Sequence, residues 1–166
     1  CWTLGVLSVV AACYTTCAFF AFERKRVLWF PQGPGYQVVS WQQDWGELRH
    51  DRSVMGGPLL VGGRVYKRGL GAHGSARVTL ALDAKTTLLR GAVGVDDAAL
   101  NRAAGLVCEV WIDGREVFHS RVLHAGELPQ QFLVPTGGAT NVELRVTNAG
   151  AQNTWNHADW LDLMAE

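Results

Sequence analysis

Polar and apolar residues alternate along most of this chain. Between Ala76 and Leu82, Val78, Leu80 and Leu82 fall on one side and Arg77, Thr79 and Ala81 on the other, the period of two that a half-buried strand requires. Short runs of strand character recur at Tyr36–Trp41, Leu59–Val61, Arg64–Tyr66, Thr87–Val95, Leu106–Ile112, Glu116–Val122, Gln131–Val134, Val142–Val146 and Trp160–Met164. Gly62-Gly63 and Asp113-Gly114 each separate two such runs, and both pairs suit a two-residue hairpin turn. About nine short strands at this spacing predict an all-β fold, an antiparallel β-sandwich. Val78, Leu80, Leu82, Val110, Ile112, Leu144 and Val146 are expected to face its interior.

The N-terminal stretch breaks the pattern. Trp2 to Phe22 is a run of 21 residues without a charge, long enough to cross a bilayer as one transmembrane α-helix. Glu23-Arg24-Lys25-Arg26 follows, then Trp29 and Phe30, the mixture of basic and aromatic residues found at a membrane–water boundary. A cleaved secretory signal fits less well, because the apolar run is long, no basic residue precedes it and no Ala-x-Ala-like site follows. The expected organisation is an anchor with its basic flank over 1–26, an interfacial linker over 27–35 and the sandwich over 36–166. The lipid bilayer is then one partner. Gly5, Ser8, Ala11, Ala12 and Thr15 would let a second helix approach closely.

Composition narrows the function. The 15 basic and 15 acidic residues balance, which argues against a nucleic-acid partner, since that calls for a basic face. Of the four cysteines, Cys1, Cys13 and Cys17 lie in the apolar stretch and Cys108 alone in the rest, so no disulfide framework holds the domain.

The densest chemistry lies in Asn153-Thr154-Trp155-Asn156-His157-Ala158-Asp159-Trp160. Indoles beside amides, an imidazole and a carboxylate form a platform that can stack on a sugar ring and hydrogen-bond its hydroxyls. Asp96 and Asp97 are adjacent, so on a strand they point to opposite faces and cannot form one carboxylate dyad. His73 and His157 lack the further nitrogen or sulfur ligands that zinc needs; calcium, through aspartates and carbonyls, fits the composition better. No phosphate loop, nucleophile elbow or ordered Ser-His-Asp set is present, and no catalytic residue is assigned.

Several motifs together resemble one family. Trp45-Gly46, Asp51-Arg52-Ser53, Gly62 to His73, Gly94-Val95-Asp96-Asp97, Val110 to Arg115 and His157-Ala158-Asp159-Trp160, in this order and spacing, resemble the NPCBM-type carbohydrate-binding modules of secreted bacterial glycosidases. The resemblance runs from about Val38 to Met164. It implies a jelly-roll-like sandwich, often with a structural calcium, and binding of galactose-containing glycans. Ligand-binding residues are expected among Trp45, His73, Asp96, Asn153, Trp155, His157, Asp159 and Trp160. The signatures are expected to meet at one end of the sandwich, with Asp159 buried and hydrogen-bonded and His157 against Gly71-Ala72-His73 or the Asp96-Asp97 loop.

Two functions follow. The anchor favours an accessory subunit of a larger membrane complex (respiratory, photosynthetic or translocation) whose partners are integral membrane subunits. The alternative is a membrane-tethered module recognising galactose-type glycans. The expected location is a bacterial inner membrane with the domain outside the cytoplasm, as secretion of the family implies, although the basic cluster after the helix points the other way.

Overall fold

A computed structural model of the chain describes residues 35–100, 105–150 and 154–166. The expected membrane span and linker therefore lie outside the described residues, apart from Gly35. Among the described residues, no helix is long and apolar enough to cross a membrane.

The strands are β1 (Tyr36–Gln43), β2 (Arg49–His50), β3 (Leu59–Val61), β4 (Arg64–Tyr66), β5 (Gly69–His73), β6 (Ala76–Leu82), β7 (Leu88–Val95), β8 (Leu106–Ile112), β9 (Arg115–His119), β10 (Gln130–Pro135), β11 (Asn141–Asn148) and β12 (His157–Ala165). They form two five-stranded sheets, ordered β1-β6-β11-β8-β9 and β10-β7-β12-β5-β2, with β3-β4 as a separate hairpin. Every pairing is antiparallel. The expected sandwich is present, and all seven residues assigned to its interior are buried in one core cluster.

Alternation explains the first sheet. Along β6 and β8 every second residue is buried, and the residues between them carry charge or partial exposure. In the second sheet β5 and the start of β12 read differently, because both their faces are covered. Four of the first five residues of β12 and all of β5 except the terminal His73 carry apolar or small side chains or a sealed polar group, and all of these positions are buried. One face of β12 turns into the sandwich core through Trp160, whose indole stands edge-on at 6.0 Å to Phe132 of β10 in the same sheet. The other face is roofed by the β3-β4 hairpin, where Leu59 and Val61 pack on Leu161.

Two glycines let the roof come down. Asp159 of β12 stands in register with Gly71 of β5 on one side and Gly94 of β7 on the other. A Cβ on Gly94 would lie 2.3 Å from Val61 Cγ1, and a Cβ on Gly71 would lie 2.3 Å from the Arg52 carbonyl oxygen. Asp97 then fastens the roof: its carboxylate accepts hydrogen bonds from Gly62 N at 3.1 Å, Gly63 N at 2.7 Å and Gly126 N at 3.0 Å. It thereby satisfies backbone donors at a turn where both glycines have positive φ.

The long strands also fix the poles of the domain. β1 begins beside the end of β12, since a Cβ on Gly35 would lie 2.1 Å from the Ala165 carbonyl oxygen. It ends at Gln43, whose side-chain oxygen accepts from the His73 N–H at 3.2 Å. His73 pairs with His157, the first residue of β12. An eight- or nine-residue strand spans about 25 Å, so these two poles lie that far apart.

A Gly94→Ala substitution is expected to cost about 1–3 kcal/mol in urea unfolding, as overpacking does. Adding Val61→Ala should recover part of that loss, giving a non-zero coupling in the double-mutant cycle; strict additivity of the two changes would show that the close approach is not what holds the hairpin.

Candidate functional site

A pocket of about 400 Å³ opens at the His73–His157 pole, lined by Asp44, Trp45, Met55, His73, Thr154, Trp155 and His157. Four rings follow one another along it. Trp45 lies 5.5 Å from His73, His73 lies 5.6 Å from His157, and His157 lies 5.5 Å from Trp155. The two imidazoles are buried, forming the floor, while Trp45 is 52% exposed at one edge. Trp155, half-buried, stands at the other edge.

Local backbone chemistry places each ring. His73 and His157 are cross-strand partners on β5 and β12, which brings their rings together on the same face. The residue Trp155 has φ +68, a left-handed conformation that a bulky side chain rarely adopts. It is held there by a turn in which His157 N donates to the Trp155 carbonyl at 2.9 Å. Gln43 fixes the opposite edge, donating through Nε2 to the Trp45 carbonyl at 2.7 Å while receiving the His73 N–H. The Nδ1 of His73 lies 2.6 Å from Asp44 Oδ1 and 2.6 Å from the Gly74 carbonyl. Two acceptors at Nδ1 put a proton there; in that tautomer Nε2 is an acceptor.

The expected site residues divide into three groups. Trp45, His73, Trp155 and His157 share the pocket. Asp96, Asp159 and Trp160 do not line it: Trp160 is fully buried in the core, and the two aspartates are buried under the roof. Asn153 lies outside the described residues. Sequence reasoning passed over Asp44 and Met55 and did not single out Thr154; the signal for Asp44 was a carboxylate directly before Trp45-Gly46 in a turn.

Flat aromatic edges around a floor of hydrogen-bonding groups can take a small polar molecule at one end of the β-sandwich. The chain belongs to the NPCBM/NEW2 domain family, which matches residues 35–166. It is 33% identical over 138 residues to alpha-1,3-galactosidase B of Akkermansia muciniphila, covering 78% of this chain and 17% of that protein. It is 30% identical over 122 residues to a putative endo-alpha-N-acetylgalactosaminidase of Renibacterium salmoninarum, covering 70% of this chain and 8% of that protein. The chain thus spans a small part of the curated relatives it matches. The fold is shared with the CBM51 module of a Clostridium perfringens GH95 protein solved with methyl-galactose, at TM-score 0.72 and 24% identity over 78% of this chain and 94% of that one. A C. perfringens structure joining an M60 catalytic domain to two CBM51 domains matches at TM-score 0.70 and 30% identity, over 78% of this chain and 14% of that one. The matched region is thus that of the NPCBM/NEW2 family, and its fold is that of the CBM51 modules. These likenesses favour the glycan-binding alternative over the accessory-subunit expectation and give no support to membrane-subunit partners.

Behind the pocket lies a sealed acidic niche. Asp96 Oδ1 accepts from Ala98 N at 2.8 Å, capping the short 3-10 turn Asp97–Ala99, and Asp96 N donates to the His157 carbonyl at 3.0 Å. His157 thus touches both places expected of it. Asp159 corrects the other half of that expectation: it is fully buried, but neither carboxyl oxygen has a hydrogen-bond partner of normal geometry. The glycines on either side of it provide no side chain, and the roof above excludes water. Burial holds the Asp159 carboxyl well above the usual carboxylate range, and the charge of nearby Asp96 adds to the rise. His157 moves the opposite way: burial lowers its pKa, His73 lowers it further, and Asp96 works against both.

These shifts give opposite pH slopes. His157 binds its proton less readily folded than unfolded, so its contribution to stability is intact above about pH 6.5 and is lost as pH falls through its folded pKa. Asp159 binds its proton more readily when folded, so its contribution is fully present below about pH 3.8 and is lost as pH rises toward its folded pKa. In Asp159→Asn the second slope is gone, and unfolding free energy should fall more steeply on acidification below about pH 6.5 than in the parent. Denaturant melts at a series of pH values measure this; parallel pH profiles for parent and variant would contradict it.

Proposed function

We propose that this chain is a carbohydrate-binding module that holds a galactose-type sugar between Trp45 and Trp155, over the His73–His157 floor. The observation that carries the reading is the continuous row of four rings in one pocket. A pyranose has an apolar face of C–H groups that an indole covers, and a rim of hydroxyls that need partners. The Asp44 carboxylate, His73 Nε2 and the Thr154 hydroxyl supply acceptors and a donor at the pocket. The relatives' printed names and ligand support galactose chemistry, and the family's occurrence within glycoside-cleaving proteins supports a targeting role for the module.

The same reading includes a calcium ion and a tether. Calcium takes six to eight oxygen ligands. The two buried carboxyls of Asp96 and Asp159, one with both oxygens unpartnered, fit such a cation in charge and donor type. Asp96 and Asp159 would hold it, and the ion would supply the positive charge that the niche otherwise lacks. The apolar stretch 2–22 would tether the module at a bacterial inner membrane, with the sandwich over 36–166 facing outward.

Methyl-galactose is expected to bind with a Kd in the millimolar range, about −4 kcal/mol. Trp155→Ala should remove that binding and leave the cooperative unfolding transition in place. An unfolded variant would leave the question to Trp45→Ala, whose exposed ring does not support the core; unchanged sugar affinity in that variant would overturn the assignment. Added calcium should raise the melting temperature relative to a chelated sample, and this rise should disappear in Asp159→Asn. Protease protection in sealed vesicles tests the tether: digestion of the sandwich only from the cytoplasmic side would refute the outward placement.

A further inference from the structure

A second cleft adjoins the sugar pocket, and Asp44 lines both. This cleft, of about 450 Å³, lies over the ends of β1, β6 and β11 on the outer face of the first sheet. Its character is unlike that of the first pocket. Gln42, Ser75, Arg77 and Thr147 present an amide, two hydroxyls and a guanidinium, all on exposed residues. No ring lines it.

The wall between the two clefts is rigidly built. Gln43 ties it to both His73 and Trp45. On its far side, Asn148 Nδ2 donates to Ser75 Oγ at 3.2 Å, and Asn148 Oδ1 accepts from Asn156 Nδ2 at 2.7 Å, one residue before His157. Gly74 allows this crossing, since a Cβ there would lie 2.2 Å from Asn148 Oδ1. The floor of the first pocket and the rim of the second are thereby held in one fixed geometry.

Charge indicates what the second cleft accepts. Arg77 lies 3.2 Å from Glu143, and the same Glu143 carboxylate bonds to Arg145. Arg145 is also stacked 3.9 Å from the Trp111 ring. Both guanidiniums pair with Glu143, and the Asp44 carboxylate also lines the cleft, so the lining and its partners balance and there is no cationic surplus to draw an anion. Donors and acceptors remain, as the hydroxyls of an uncharged sugar require.

We infer that the binding site continues across Asp44, and that its ligand is a neutral glycan of at least two sugar units. The first unit occupies the ringed pocket, and the next hydrogen-bonds to Gln42, Ser75, Arg77 and Thr147. This inference rests on the sugar-binding reading of the first pocket, but it makes a separate claim about length and charge.

Isothermal titration of the full chain with methyl-galactose, with neutral galactosyl disaccharides of differing linkage and with a uronic-acid-containing counterpart separates the two claims. At least one neutral disaccharide should bind about tenfold more tightly than methyl-galactose, the effect of one or two added hydrogen bonds. The acidic counterpart should gain nothing more. Arg77→Ala and Thr147→Val, both at exposed positions, should abolish the disaccharide gain and leave methyl-galactose affinity unchanged. Failure of every sugar to bind would overturn the first-pocket reading. Binding of methyl-galactose with no disaccharide gain, or a gain that both substitutions leave intact, would overturn the second subsite alone. A further gain for the acidic sugar would overturn the neutral-ligand claim.

Discussion

The close packing of a loop and a hairpin onto the outer face of the second sheet governs this structure. Sheets in a sandwich ordinarily leave that face to solvent, with polar residues alternating outward. Here Gly71 and Gly94 flank β12 and allow the Arg52–Ser53 backbone and Val61 to lie directly on the strands. Covering both faces makes β12 a central element of the core and excludes water from Asp159. Asp97 turns the covering into a fixed arrangement, because one carboxylate serves three backbone donors from two loops. A carboxylate in that position replaces solvent for groups that would otherwise be unsatisfied.

The pocket inherits its order from that core. The imidazoles of His73 and His157 are the end positions of two paired central strands, so their separation is set by the sheet and not by loop conformation. Trp155 comes from the turn that enters β12 and Trp45 from the turn that leaves β1, and each is fixed by a short backbone contact. Rings held in advance lose little conformational entropy when a ligand arrives. The burial that rigidifies the floor also keeps His157 neutral near physiological pH and fit for hydrogen bonding.

Strands that bury one face were legible in the sequence. β6, β8 and β11 alternate clearly, and Asp113-Gly114 marks its hairpin where the turn forms. β5 was missed, because Gly-Leu-Gly-Ala-His has no period of two when both its faces are covered, and its glycines read as turn formers. β2, at two residues, carries no pattern at all. The last strand was expected only from Trp160, since the polar residues His157 and Asp159 conceal the start of a strand that buries them. Within the site, the cluster around Trp155 was visible in one dimension. Its meeting with Trp45 and His73 depends on strand register, which short-range pattern does not encode. Asp159 was expected to be hydrogen-bonded because buried carboxylates usually are; the two glycines beside it, which offer no donor side chain, become its neighbours only in the sheet. The preference for a scaffold role came from residues 2–22, which lie outside the described part of the chain.

Gly35 and Ala165 meet at one pole, and the ringed pocket lies at the other. A domain with both its chain ends at one place behaves like a plug with two leads on the same side: it can be spliced into a host chain, or hung from its end, without disturbing what it carries at the far tip. The β-strands between the poles then act as a rigid stalk about 25 Å long, holding the ringed pocket clear of whatever adjoins it. That arrangement accords with a domain found as a small fraction of much longer glycan-processing proteins. It also means that evolution can change the host without altering the pocket, and can alter the pocket without changing the host.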